Sequence, residues 1–108
     1  VPLGGQDGDL AAINRVARGT QTVSVWKNAM DLGKAAGEIA SAMADGTALD
    51  AIPNATKFSG GEKGVEMNAI LLTPTPITKE TIGLAIDAGH ITKEAACEGA
   101  MPDVAACQ

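Results

Sequence analysis

Aromatic residues are almost missing from this 108-residue chain: Trp26 and Phe58 are the only two, and tyrosine does not occur. A core without large rings must be filled by aliphatic side chains and close approach of small ones, and alanine and glycine dominate the composition. Positive charge is sparse too. Eight Lys and Arg stand against thirteen Asp and Glu, for a formal net charge of −5. The eight are scattered, which excludes the clustered basic surface that nucleic acid requires. No apolar run reaches the roughly 18 residues of a membrane-crossing helix. The single histidine, His90, has no nucleophile or carboxylate at a spacing that would make it a catalytic base. No carboxylate pair is spaced like that of a glycosidase, and Cys97 and Cys107 show no zinc pattern.

What is present is organised around Gly5-Gln6-Asp7 and Lys27. Val1-Pro2-Leu3 reads as the end of a buried strand, and Gly5 as a backbone free to turn sharply. Asp9 and Leu10 then open a helical pattern to Arg18, with Leu10, Ile13, Val16 and Ala17 on one face. Asp7 or Asp9 can cap this helix, and Gly19 can end it in the left-handed conformation. Thr20 to Trp26 is rich in β-branched residues and predicts a strand, with Val23 and Val25 on one face and Thr22, Ser24 and Trp26 on the other. A carboxylate where a strand hands over to a helix sits where open α/β sheets bind ligands. If Lys27 returns to that edge, the pair can hydrogen-bond a neutral, hydroxyl-rich ligand. Asp7 would accept hydroxyl protons, while Lys27 donates to an oxygen and holds Asp7 ionised.

Further along, Asn28 caps a helix running to about Asp45, with Leu32, Ala36, Ile39, Ala40 and Met43 as its expected buried stripe. Lys34 and Glu38 form an i, i+4 pair on a solvated face. Thr47 to Asn54 reads as a loop. Thr56-Lys57-Phe58 and Gly64-Val65-Glu66-Met67 flank a flexible tip and predict a short hairpin. The tip lacks the spacing of a phosphate loop. Ala69 to Thr73 is a continuous apolar run, predicting a strand buried on both faces and ended by Pro74 and Pro76. Two helices follow, each starting at an Ile-Thr-Lys-Glu copy, at 77 and at 91. The first has Ile82, Ala85 and Ile86 as its apolar side and stops at Gly89; the second stops at Gly99. Met101 to Gln108 shows no strong preference.

Gly5-Gln6-Asp7-x-Asp9-Leu10-Ala11-x-Ile13, continued by Gly19-Thr20-Gln21-Thr22-Val23-x-Val25-Trp26-Lys27, resembles the C-terminal part of periplasmic sugar-binding proteins, the solute receptors of bacterial ABC importers. The D-xylose-binding branch is the nearest in pattern. The likeness is densest over residues 3 to 27, continues through 29 to 45 and 69 to 74, is loose between 47 and 66, and is weak beyond 90. It implies an α/β fold, the C-terminal part of a two-lobe type I binding protein with parallel-sheet lobes and flanking helices. Residues 1–25 would then end the second lobe, 26–68 return to the first, and 69–108 form the last crossing strand and a helical tail. The chain would be about the last third of such a receptor, would have the upstream remainder as its partner, and would not fold alone as the native unit. The resemblance implies non-catalytic capture of a monosaccharide, D-xylose or a similar aldose, for delivery to a membrane permease, in the periplasm and without a cofactor. A mature C-terminal piece would show no signal peptide. A sugar sensor signalling to a chemotaxis receptor or kinase, and a small sugar-processing α/β enzyme, are the alternatives.

By the same resemblance Asp7 and Lys27 contact the sugar. The competing role for Asp7 is the helix cap alone, and Lys27 without Asp7 would be an ordinary surface lysine. Gln6 is a weaker ligand contact, with backbone bonding in the turn as its expected role. Trp26 stands where the family usually has tyrosine; alternation along the strand sends it away from Lys27, toward packing. His90 is expected to be an exposed loop residue. In an exported chain Cys97 and Cys107 are expected to close a disulfide around a small tail loop; the alternative is two unrelated thiols.

Overall fold

A computed structural model describes residues 1–108. The elements in order are β1 (Gly4–Gln6), α1 (Leu10–Ala17), β2 (Val23–Trp26), α2 (Ala29–Ala44), β3 (Thr56–Phe58), β4 (Met67–Ala69), β5 (Thr75–Ile77), α3 (Ile82–Asp87) and α4 (Lys93–Cys97), with single 3₁₀ turns at Leu49–Ala51 and Ala105–Cys107. No helix is long and apolar enough to cross a membrane. The chain divides into two compact units, residues 1–28 with 74–108, and residues 29–73.

The first unit is built on a three-stranded mixed sheet of order β1-β2-β5. β1 and β2 run parallel, pairing Gly4 with Val23, Gly5 with Ser24 and Gln6 with Val25. β5 runs antiparallel to β2, pairing Val25 with Pro76 and Trp26 with Thr75. The class is α/β as expected, but this sheet is not purely parallel. The expected strand at 69–73 is displaced. Only Ala69 belongs to a strand, Leu71 and Leu72 are exposed, and the sheet strand begins after Pro74. Pro76 lies inside that strand instead of ending it, which is possible because β5 is an edge strand with one neighbour only. The strand expected at the start is also displaced: Val1 and Leu3 are exposed, and Gly4–Gln6 forms β1. Gly5 is therefore a strand residue, not a turn. A Cβ there would lie 2.7 Å from Gln21 Nε2, so glycine admits the buried Gln21 amide against the strand.

α1 covers the sheet with Ile13, Val16 and Ala17, all fully buried, while Leu10 faces solvent, contrary to its expected place on the inner face. Asp9 Oδ1 accepts from Ala12 N at 2.7 Å and is the helix cap. α1 ends in a Schellman turn at Gly19, with Thr20 N donating to Arg15 O and Gly19 N to Val16 O. Ile77, Ile82, Ala85, Ala96 and Val104 complete the core around Trp26. Asn14 Nδ2 donates to Ala96 O and Glu98 O and ties α1 to the end of α4. The two Ile-Thr-Lys-Glu copies differ. Thr92 caps α4 through its side chain, whereas in the first copy the cap position falls to Thr81, three residues after Thr78. The tail, without strong preference in sequence, is anchored by buried Val104 and by a Cys97–Cys107 disulfide across ten residues of sequence.

In the second unit β3 and β4 form the expected hairpin, but its second strand begins at Met67, so the loop reaches back from there to Ser59. α2 departs from expectation. Leu32 and Met43 are half exposed and no residue of the helix is buried; Ala35, Ile39 and Ala42 are the half-buried positions. Those three line a cavity of about 680 Å³ with Ile52, Pro53, Ile70 and Leu72. Periodicity identifies which face of a helix is apolar, not what covers it. The Leu32, Ala36, Ala40 and Met43 face is exposed.

Two outcomes follow from the tail. Closing a loop of this size stabilises by about 2–3 kcal/mol in the chain-entropy account, so Cys97→Ser/Cys107→Ser should lower unfolding stability by that order in urea titrations, and reductant should reproduce the loss in the parent protein. Lys79 Nζ donates to Asp103 Oδ2 at 2.7 Å. This contact holds the Asp103 carboxyl below its ordinary range and raises Lys79. Because the folded carboxyl titrates below the unfolded one, its contribution is present above the ordinary carboxylate range and is lost as pH falls through the lowered value. Asp103→Asn should remove a small part of the stability loss below about pH 4, where free aspartate titrates, measured by acid titration of fluorescence. The effect should be small because both groups are solvent-exposed.

Candidate functional site

Parallel pairing of β1 and β2 decides where Asp7 and Lys27 go. Each follows the last residue of its strand, so both emerge at the same carboxyl edge of the sheet. Lys27 Nζ lies 2.8 Å from Asp7 Oδ1, and a weaker donation at 3.5 Å reaches Gln6 Oε1. The structure therefore brings together all three residues singled out in the sequence. Gln6 meets Lys27 through its side chain, not the backbone of the turn as expected. With Asp9 as the α1 cap, the Asp7 carboxylate is left to face Lys27.

Asp7 is held in an unusual backbone state. Its φ is +76° and that of Gly8 is +62°, and successive left-handed residues are what Asp-Gly supplies in a tight reversal. For Asp7 this conformation is tolerated but not favoured. Three contacts fix it. Asp7 N donates to Val25 O at 2.8 Å, continuing the ladder of β1 on β2. Gly8 N donates to the fully buried Ser24 hydroxyl at 3.1 Å. The Trp26 side chain packs beneath Gly8 so closely that a Cβ there would sit 2.9 Å from it. The indole Nε1–H has no hydrogen-bond partner, so the Trp26 side chain is held by packing. Its core position agrees with the alternation that directed it away from Lys27.

The ion pair does little for stability. The side chains of Asp7 and Lys27 are 70% and 46% exposed, and pairs at such exposure contribute about 0–1 kcal/mol. A left-handed aspartate, braced from below, is a costly way to gain so little. What the arrangement provides is a carboxylate with free lone pairs and an ammonium with free protons, facing outward in fixed positions.

No family model matches the chain. It is 41% identical over 82 residues, 76% of its length, to the D-xylose-binding periplasmic protein of Escherichia coli. It is 39% identical over 95 residues, 87% of its length, to the protein of the same name from Haemophilus influenzae. The chain is similar to a segment of D-xylose-binding periplasmic proteins. The resemblance drawn from residues 5 to 27 is thus found independently over most of the chain. The matched segments cover 23% and 27% of those relatives, so the matched part of the chain spans about a quarter of their length. Both relatives are named as binding proteins, and the sensor and enzyme readings find no support in them.

His90 was expected to be a loop residue, and as a residue it is exposed. Its Nε2 nevertheless lies 2.7 Å from Gly8 O, and its ring centroid is 5.0 Å from that of Trp26. Periodicity could not show this contact across 82 positions of sequence. The one local signal is Gly89, whose φ of +71° reverses the chain at the end of α3 and throws the next residue back toward the sheet.

Two substitutions separate the turn from the cap. Gly8→Ala should destabilise the protein by about 1–3 kcal/mol, the usual range for a strained backbone, through both the left-handed conformation and the clash with Trp26. Asp9→Ala should cost about 0.5–2 kcal/mol for the lost cap. Chemical denaturation of the two variants beside the parent checks both.

Proposed function

We propose that this chain is the C-terminal part of a two-lobe type I periplasmic binding protein, and that it contributes Asp7, Lys27 and, more weakly, Gln6 to a monosaccharide site. The observation that supports this most directly is the Asp7–Lys27 pair at 2.8 Å on the shared carboxyl edge of β1 and β2, within a chain about 40% identical to segments of D-xylose-binding proteins. A carboxylate accepts but does not donate, so Asp7 matches sugar hydroxyl protons. Lys27 only donates, so it matches a hydroxyl or ring oxygen. The ligand is D-xylose or a similar aldose, and the receptor delivers it in the periplasm to the permease of an ABC importer.

In this reading the lobes close over the sugar by shifting an existing equilibrium, and exclusion of water strengthens the Asp7 and Lys27 bonds. The open Leu32, Ala36, Ala40 and Met43 face of α2 is then the surface on which upstream chain of the same receptor packs. Asp7→Ala should weaken D-xylose binding to the full-length receptor by about 1.5–3 kcal/mol, the range for a charge-assisted bond. Asp9→Ala should leave affinity close to that of the parent. Calorimetric titration with D-xylose, glucose, ribose and arabinose measures both and names the preferred sugar. Parent-like affinity in Asp7→Ala would remove Asp7 from the site.

A further inference from the structure

We infer that His90 is a positioning residue for the ligand site: its Nε2–H grips the carbonyl of Gly8 and so sets the orientation of the Asp7 carboxylate. This rests on the sugar-site reading above. The Gly8 carbonyl can only accept, so at 2.7 Å Nε2 must be the donor, which assigns the Nε2–H tautomer to the neutral ring. The turn carrying Asp7 is fixed on its inner side by Val25 O, the Ser24 hydroxyl and Trp26. None of these holds the Gly8 carbonyl. His90 adds the hold on the Gly8 carbonyl, on the side of the turn that leads from the left-handed Gly8 into the α1 cap at Asp9.

His90 is itself well fixed for this task. Its backbone N–H donates to Ala85 O at 3.0 Å and Gly89 N donates to Ile86 O at 2.9 Å, which together form the Schellman end of α3. Ala85, whose carbonyl receives the His90 N–H, is fully buried, as is Ile82 one turn earlier. The ring lies against Trp26 at an interplanar angle of 31°. A contact thus runs from the α3 terminus, through His90 and Gly8, to Asp7.

The test uses the full-length receptor and D-xylose as the calorimetric probe. His90→Phe keeps a ring beside Trp26 and removes the donor; His90→Gln places an amide N–H where Nε2 was. His90→Phe should weaken binding about three- to tenfold, the range of one lost hydrogen bond, and His90→Gln should recover most of that loss. In an Asp7→Ala background the same His90→Phe change should have little further effect, because His90 acts through Asp7. An equal loss in both backgrounds would mark His90 as a general structural residue and overturn the inference. So would parent-like affinity in a folded His90→Phe protein while Asp7→Ala binds poorly. If Asp7→Ala itself binds like the parent, the sugar-site reading fails first and the inference with it. A measurement on the unsubstituted protein needs no folded variant: imidazole nitrogen shifts should show the neutral His90 ring protonated at Nε2, and protonation at Nδ1 would overturn the contact.

Discussion

The left-handed turn at Asp7 and Gly8 is the constraint on which the rest of this site depends. A φ of +76° is tolerated by aspartate but not favoured. The support comes from residues far away in sequence: Ser24, Val25 and Trp26 on β2, and His90 beyond α3. Each touches Asp7 or Gly8 through a different atom. The arrangement leaves the carboxylate outside, while Trp26 and Ser24 below it are buried. A flexible aspartate would lose entropy on meeting a ligand; one already fixed loses less.

Parallel pairing converts this local turn into a two-charge site. Because β1 and β2 end at the same edge, one residue past each strand is enough to bring a carboxylate and an ammonium within 2.8 Å. α1 makes the pairing possible by carrying the chain back, and its buried Ile13, Val16 and Ala17 hold it to the sheet. β5 then closes the other side of β2, with a proline that only an edge strand accepts. The scarcity of aromatics gives Trp26 unusual weight. It is the only tryptophan, it belongs to the core cluster, and it forms the floor under Gly8 and the wall against His90. Packing of the core and geometry of the site therefore meet in one side chain.

Much of this was legible in the residues. α1, a cap at Asp7 or Asp9 and its Gly19 stop follow from local rules of hydrogen bonding at helix ends, which need no partner from elsewhere. The hairpin and the two short C-terminal helices are legible for the same reason, although the first of these begins later than its Thr-Lys-Glu signature because Thr78 and Thr81 bond each other ahead of the helix. The apolar run at 69–73 misled because hydrophobicity marks residues that prefer burial, while a strand needs a backbone partner, and β2 offers one only to Thr75–Ile77. The stripe on α2 misled because amphipathicity names a face without naming its cover.

The sequence by itself determined the glycine stops of the helices, the candidate residues Asp7, Lys27 and Gln6, and a likeness to sugar receptors, because these rest on side-chain identity and short-range spacing. Only the tertiary structure decided between the two aspartates. It gave the cap to Asp9 and the charge pair to Asp7, since that choice depends on which carboxylate the second strand's lysine can reach. It also decided the place of His90. A hydrogen bond between residues 82 positions apart is set by how the helices close on the sheet, and no periodicity in the chain encodes that distance.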